Sequence, residues 1–259
     1  MLDRNQTFMN VQLALALGYE LIDTAAIYNN EAEVSLASVR AHVNPIVITK
    51  VWPTELGFRR TYRSVLASRK RLNQAILDVV LLHWPRCYWE WNVDWMDCSN
   101  AENDDESDLW LKSWDAFEKL YAEGLVLSIG VSNFDVNMLK QAMDKSVSVE
   151  PMIVQNYFSL KHLDEDVITF CRKNWVLYHG YSLLREGITY KEKDVLRELS
   201  GTEDFLSSLF HLLLKSRIGF LIRSTNPSHI KDNIMRIENT LELKSEVDAL
   251  EFLRPNQKL

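Results

Sequence analysis

Seven short apolar runs, rich in Val, Ile and Leu, are spread along the chain. They lie at residues 21–26, 45–52, 77–84, 127–133, 152–156, 176–182 and 219–224. Most of them do not alternate between apolar and polar positions, which is the pattern of strands buried on both faces. The runs therefore predict seven strands of a sheet that is covered on both sides.

Segments with apolar residues at helical spacing separate or follow these runs. They span residues 8–17, 31–42, 59–72, 108–124, 136–143, 165–174, 205–216, 228–236 and 245–253. Strand and helix thus alternate along almost the whole chain, which predicts a parallel sheet with helices outside it. A repeated β-α unit at this length favours a (β/α)8 TIM-type barrel over a doubly wound sheet. Because no linker or change in composition interrupts the pattern, residues 1–259 are predicted to form a single domain.

A barrel places its chemistry at the carboxyl ends of the strands. The polar residues at these ends are Asp23, Lys50, His83, Ser132, Asn133, Gln155, Tyr181, Ser182, Arg223 and Ser224. Turn formers alone would give a mixture of Gly, Asp, Asn and Ser. Lys, His, Gln, Tyr and Arg are poor turn formers, so the set favours a functional site over ordinary strand ends. Asp23 and nearby Tyr28, taken alone, would also fit a helix cap and a loop aromatic.

Composition narrows the class of partner. The 259 residues carry a net charge of −7 and a sequence pI of about 5.4, which argues against a nucleic-acid partner. No apolar run approaches the ~18 residues of a membrane span, and the N-terminus lacks the apolar core of a signal peptide. Three scattered cysteines suit reduced thiols rather than a disulfide framework or a metal site. These features predict a cytoplasmic protein that binds neither a membrane nor a metal.

Six segments, in order along the chain, resemble motifs of the aldo-keto reductase family. They are GYELIDTAAIYNNEAEV (18–34), VITKVWP (47–53), VVLLHWP (79–85), GLVLSIGVSNF (124–134), GYSLL (180–184) and LIRSTNPSHIKDN (221–233). The resemblance covers about residues 8–250. It implies the barrel fold of that family and an oxidoreductase that reduces an aldehyde or a ketone to an alcohol.

The resemblance assigns a catalytic tetrad to Asp23, Tyr28, Lys50 and His83. Reduction of a carbonyl needs a hydride, which a nicotinamide supplies, and a proton at the oxygen. Tyr28 would give the proton, because a nearby ammonium such as that of Lys50 lowers the pKa of a tyrosine from its isolated value of ~10. Asp23 would orient Lys50. His83 would hydrogen-bond the carbonyl oxygen, a contact typically worth about 3 kcal/mol.

The resemblance also implies the cofactor contacts. Ser132, Asn133 and Gln155 match positions that bind the carboxamide, and Tyr181 matches one that stacks on the nicotinamide. The further cofactor candidates are Ser182, Leu184, Arg223, Ser224, His229, Asp232 and Asn233. Arg223 stands where the family usually has a lysine. Because Arg keeps the charge and can bind phosphate through two hydrogen bonds, NADP(H) is favoured over NAD(H).

Tryptophans mark the expected substrate pocket. Trp52, Trp84 and Trp89 lie at strand ends or in the loop after His83, with Trp91 and Trp95 further along that loop. Any one of them could simply anchor a loop. Several at the same end predict an apolar, aromatic-walled pocket for a small carbonyl substrate.

The chain departs from the family at its N-terminal end. The family's first strand has no counterpart in MLDRNQT (1–7), so the barrel is expected to be incomplete, with seven strands. A gap would leave an unpaired strand edge, through which copies of the chain could associate. The alternative function is therefore a catalytically degenerate relative with a nucleotide-sensing or regulatory role. A phosphate-sugar isomerase is disfavoured, because no Gly-rich phosphate loop follows the last strands.

Overall fold

The structure, a computed structural model, describes residues 3–88 and 109–239. Within these ranges the chain forms seven β-strands and nine α-helices. The strands are β1 (Leu21–Asp23), β2 (Ile46–Val51), β3 (Leu77–Leu82), β4 (Val126–Ser132), β5 (Ile153–Tyr157), β6 (Leu177–Tyr181) and β7 (Gly219–Phe220). The helices are α1 (Arg4–Ala16), α2 (Glu31–Ala41), α3 (Phe58–Arg71), α4 (Leu109–Ala122), α5 (Val136–Lys145), α6 (Glu165–Lys173), α7 (Tyr190–Ser200), α8 (Phe205–Lys215) and α9 (Pro227–Glu238). Short 3-10 turns, Ala26–Tyr28 and Pro53–Glu55, follow β1 and β2.

The alternation of strands and helices confirms the prediction. The seven strands follow one another in the sheet in chain order. The pairs β1/β2, β2/β3, β3/β4 and β6/β7 are parallel. The two terminal strands are shorter than predicted, with three residues in β1 and two in β7.

The chain divides into two compact units, Met1–Val154 and Gln155–Leu259. A single domain over the whole chain stays a prediction. In the first unit, Ile48, Val79, Leu81 and Ile153 form a buried cluster on one face of the strands. Because side chains alternate between the faces of a strand, Lys50 follows Ile48 on this face and His83 follows Leu81. The apolar core thus lies directly beneath the polar strand ends.

The second unit has its own core around α8. Leu209, Phe210 and Leu213 are fully buried, and the ring of Phe210 stacks on that of Phe220 with centroids 4.9 Å apart. Gly180 in β6 is required by close packing, because a Cβ atom there would lie 2.7 Å from the Cβ atom of Phe158. This approach brings the end of β6 close to the residue that follows β5.

Three features differ from the expectations or extend them. Residues 185–203, where no helix is predicted, contain α7, whose first turn is held by a capping box between Thr189 and Glu192. The described residues 3–20 contain no strand, since α1 begins at Arg4. Cys171 is a buried free thiol but Cys87 is disulfide-bonded, so the expectation of three reduced thiols is wrong.

Two further predictions concern a helix near the C-terminus and the location of the protein. The predicted helix at 245–253 lies outside the described ranges. Among the helices within them, none combines the length and the apolar character that a membrane crossing needs. The cytoplasmic location stays a prediction.

Candidate active site

The strand ends of the first unit bring four polar side chains together. Asp23 is the last residue of β1, Lys50 lies one residue before the end of β2, and His83 directly follows β3. Tyr28 ends the 3-10 turn that follows β1. These are the four residues assigned to the tetrad.

Lys50 is the most deeply buried of the four, with 2% of its surface exposed. Its Nζ donates hydrogen bonds to Asp23 Oδ1 at 2.5 Å and to the carbonyl oxygen of Thr24 at 2.9 Å. Burial lowers the pKa of the Lys50 ammonium, and the neighbouring Asp23 carboxylate opposes this shift. The ammonium is therefore held in place at a cost in desolvation.

Tyr28 lies between this ion pair and His83. Lys50 Nζ is 5.5 Å from the centre of the Tyr28 ring, and Tyr28 Oη is 3.5 Å from His83 Nε2. The two rings meet edge to face, with centroids 5.7 Å apart. The phenol and the imidazole can therefore both reach one oxygen atom placed beside them.

His83 is held as a neutral imidazole. Burial lowers its pKa well below the usual range, and the positive charge of Lys50 lowers it further. Its Nδ1 is buried and has no hydrogen-bond partner among the described residues. At neutral pH this ring can thus donate or accept a hydrogen bond, but it carries no charge.

Asn133 ties two of the strand ends together. It follows β4 with a left-handed backbone, φ 63°, which Asn adopts more readily than most residues. Its Nδ2 donates to the carbonyl oxygen of His83 at 2.8 Å and to Ser132 Oγ at 3.1 Å. Ser132 itself is 1% exposed. The pair predicted to bind a carboxamide thus also fixes the backbone of His83.

The other cofactor candidates belong to the second unit. Gln155 is buried in β5, and Tyr181 ends β6 with its ring 5.9 Å from that of Tyr157. Ser182 has a left-handed backbone, φ 64°, and Leu184 is half-buried in the turn that follows.

The last group of candidates surrounds the start of α9. Arg223, His229 and Asp232 are exposed, whereas Asn233 is buried. Ser224 Oγ accepts a hydrogen bond from the backbone N–H of Asn226 at 3.0 Å. The exposed basic side chains are thus accessible to an anionic group.

An aromatic cluster borders the tetrad in the first unit. Trp52 is buried, and its ring meets that of His83 edge to face with centroids 5.0 Å apart. Ile27, Trp84 and Tyr88 pack against Trp52. Two of the three predicted pocket tryptophans therefore lie next to the tetrad, and Trp89, like Trp91 and Trp95, lies outside the described residues.

Two contacts, one made by the tetrad and one beside it, were not predicted from the sequence. The Thr24 carbonyl accepts from Lys50, and a buried carboxylate, Glu31, binds Thr49 beside Lys50. The motif around Asp23 contains both residues, but nothing in its pattern distinguishes them from ordinary turn and helix-start residues.

Comparison with known proteins identifies the family. The family model for the aldo/keto reductase family matches residues 2–204. The chain therefore belongs to the aldo/keto reductase family. It is 28% identical to the glyoxal reductase of Bacillus subtilis, over 98% of this chain and 86% of the relative. It is 32% identical to the methylglyoxal reductase DkgB of Yersinia pestis, over 87% of this chain and 80% of the relative.

Solved structures agree on the fold. An aldo/keto reductase from Brucella melitensis superposes with a TM-score of 0.77 at 26% identity, covering 93% of this chain and 86% of that one. The aldo-keto reductase MGS-M4, from a Medee basin deep-sea metagenome library, gives a TM-score of 0.79 at 26% identity, covering 100% of this chain and 90% of that one. The predicted fold class, a (β/α)8-type barrel with seven recognisable strands in the described residues, is confirmed.

Proposed function

We propose that this chain is an NADP(H)-dependent reductase that converts an aldehyde or a ketone to an alcohol, with Tyr28 as the proton donor. The observation that carries the proposal is the geometry of the first unit. A buried ammonium, a phenol and a neutral imidazole lie together at the strand ends, and the phenol and imidazole can address the same oxygen. The family supports oxidoreductase chemistry.

Each side chain of the tetrad has a distinct part in this proposal. His83 Nε2 would donate a hydrogen bond to the substrate oxygen and stabilise the negative charge that develops there. Tyr28 would transfer its proton to the same oxygen, and the Lys50 charge favours the phenolate that remains. Asp23 holds Lys50 in place, with its Oδ1 2.5 Å from Nζ. Every proton step is thus assigned to a group of the first unit.

The residues present suit a nicotinamide dinucleotide, which would supply the hydride when bound. The family resemblance assigns the carboxamide to the hydroxyl of Ser132 and the amides of Asn133 and Gln155, and the face of the nicotinamide ring to Tyr181. Arg223 is assigned the 2′-phosphate of NADP(H), supported by its charge and exposure. The remaining assignments, to Ser182, Leu184, Ser224, His229, Asp232 and Asn233, follow the family resemblance.

The proposed substrate is a small carbonyl compound with an apolar or aromatic substituent. The wall formed by Trp52, Ile27, Trp84 and Tyr88 beside His83 supports this choice. The names of the relatives add methylglyoxal and glyoxal as compounds to assay first.

The test is NADPH oxidation by the purified chain with methylglyoxal and with an aromatic aldehyde. We expect Tyr28→Phe to lower kcat by about 10²–10⁴-fold, the usual contribution of a general acid, and to leave NADPH binding unchanged. Tyr62→Phe is the matched control, because its hydroxyl binds Glu123 on the surface. NADPH binding, seen as quenching of tryptophan fluorescence, without turnover of any carbonyl would instead support the regulatory alternative.

A further inference from the structure

A buried carboxylate outside the tetrad joins three elements of the first unit. Glu31, the first residue of α2, is 1% exposed. Its Oε1 accepts a hydrogen bond from the Thr49 hydroxyl at 2.6 Å, and its Oε2 accepts one from Arg71 Nε at 2.6 Å. Thr49 lies in β2 and Arg71 is the last residue of α3. We call Glu31, Thr49 and Arg71 the Glu31 clamp.

The clamp holds the strand that carries Lys50. Thr49 and Lys50 are neighbours in β2, so their side chains leave opposite faces of the sheet. Lys50 is tied to Asp23 and Thr24 on one face, and Thr49 is tied to Glu31 on the other. The same stretch of chain, residues 23–31, therefore fixes β2 at this point from both faces.

That stretch also carries Tyr28. Thr24 Oγ1 donates to Asn30 Oδ1 at 2.6 Å, which closes the stretch on itself, and Asn30 Nδ2 donates to Thr7 Oγ1 on α1 at 3.4 Å. Tyr28 thus lies in a loop whose two ends are both bonded to β2, at Lys50 and at Thr49. A displacement of Glu31 would move the phenol relative to the ammonium.

We propose that Glu31 is a positioning residue, which sets the placement of Tyr28 against Lys50 through Thr49. The proposal rests on the proposed reductase function. An ion pair that only joined α2 to α3 would need Arg71 alone. The second oxygen of Glu31 is instead bonded to the hydroxyl of Thr49, a residue that is 1% exposed and precedes Lys50 in β2. Because a displacement of about 1 Å at reacting groups can cost ~100-fold in rate, a clamp at this position would affect turnover.

The experiment compares Thr49→Val, Thr49→Ser and Thr61→Val. Valine keeps the shape of Thr49 but leaves Glu31 Oε1 without its donor, whereas serine keeps the hydroxyl. Thr61→Val is the matched control, because Thr61 is fully buried in the same unit and its hydroxyl binds Glu55 O at 2.8 Å and Ser113 Oγ at 2.9 Å. The readouts are kcat and KM for methylglyoxal, the pH profile of kcat, and the 13Cζ NMR signal of Tyr28 in tyrosine-labelled protein, assigned with Tyr28→Phe.

We expect Thr49→Val to move the Tyr28 signal, displace the pH profile and lower kcat by roughly tenfold, with little change in KM. Thr49→Ser should restore all three readouts, and Thr61→Val should lower only the free energy of unfolding. If Thr49→Val does not fold, Thr49→Ala should give the same shifts, because it also removes the hydroxyl that donates to Glu31 Oε1.

Different results would refute the positioning role of Glu31 and the proposed reductase function. Equal losses of kcat in Thr49→Val and Thr61→Val, with the Tyr28 signal unmoved, would overturn the positioning role. A wild-type chain that reduces no carbonyl would instead refute the proposed function. The NMR comparison would still decide in that case whether the Glu31 clamp places Tyr28, since it needs no turnover.

Discussion

Replacing Lys50 by methionine should separate activity from stability. The side chain keeps most of its length and loses its charge, so the Asp23 carboxylate and the Thr24 carbonyl lose their common donor. If Lys50 lowers the cost of forming the Tyr28 phenolate, its removal takes away most of the general-acid contribution. We expect kcat to fall by about 10²–10³-fold.

The stability change should be small because two large terms oppose each other. At 2.5 Å, unit charges attract by about 7 kcal/mol at an effective dielectric constant of ~20. Burial of an ion costs several kcal/mol as well. The lowered pKa of Lys50 indicates that the cost of burial exceeds the attraction of Asp23. The remaining loss is the bond to the Thr24 carbonyl, about 1–3 kcal/mol, and Asp23, with 17% of its side chain exposed, can be hydrated.

The assay is urea unfolding followed by tryptophan fluorescence, alongside kcat, for Lys50→Met. We expect the free energy of unfolding to fall by no more than about 3 kcal/mol, the loss that remains when the two large terms offset each other. Lys140→Met is the control, since Lys140 is exposed on α5. A loss above about 4 kcal/mol, typical of a broken buried ion pair, would refute the argument from burial. An unchanged kcat in the folded variant would refute the role assigned to Lys50.

Three further predictions follow from the site and the fold. Because burial lowers the pKa of His83, the unfolded state binds more protons below pH ~6.5, so the free energy of unfolding should fall as the pH drops from 6.5 to 5. His83→Gln should flatten this pH dependence in urea titrations, and a slope identical to that of the wild type would contradict the prediction. Arg223→Ala should weaken NADPH binding by about 10–150-fold, equivalent to 1.5–3 kcal/mol, and NADH binding hardly at all; equal losses would remove Arg223 from the phosphate site. Because β1 pairs only with β2 among the described strands, we expect concentration-dependent self-association in sedimentation velocity. A chain that stays monomeric at every concentration would exclude association through this strand edge.

The sheet could be predicted because its signal is local. Parallel strands buried on both faces give continuous apolar runs, and each of the seven runs overlaps a strand. Their ends could not be predicted in the same way. The apolar run at 21–26 continues past the end of β1. There the Thr24 carbonyl accepts a hydrogen bond from the Lys50 ammonium, and the chain turns at Ala26. The donor to this carbonyl is the side chain of a residue 26 positions away, which a local apolar pattern cannot reveal.

The site was predictable only in part, for the same reason. Lys50 and His83 are unusual residues at strand ends, so their types alone suggested function. Glu31 at the start of α2 is the residue type that a helix dipole favours, and its sequence position gives no sign of burial. Its burial depends on Thr49 and Arg71, which lie 18 and 40 positions away. The helix α7 could not be predicted from apolar spacing, because its composition is polar. The signal for it is the capping box formed by Thr189 and Glu192.

The two buried bases of the site constrain which residue can give the proton. Two cations this close would destabilise each other in a desolvated site, and the Lys50 charge is one of the causes that lower the pKa of His83. Lys50, in contrast, is bonded to a carboxylate that compensates its charge. The favoured state at neutral pH therefore has a charged Lys50 and a neutral His83. A neutral imidazole can hydrogen-bond a carbonyl oxygen, but it is too weak an acid to protonate one. Tyr28 Oη lies 3.5 Å from His83 Nε2, and the Tyr28 ring centre lies 5.5 Å from the Lys50 ammonium. This arrangement supports Tyr28 as the acid of the proposed reaction.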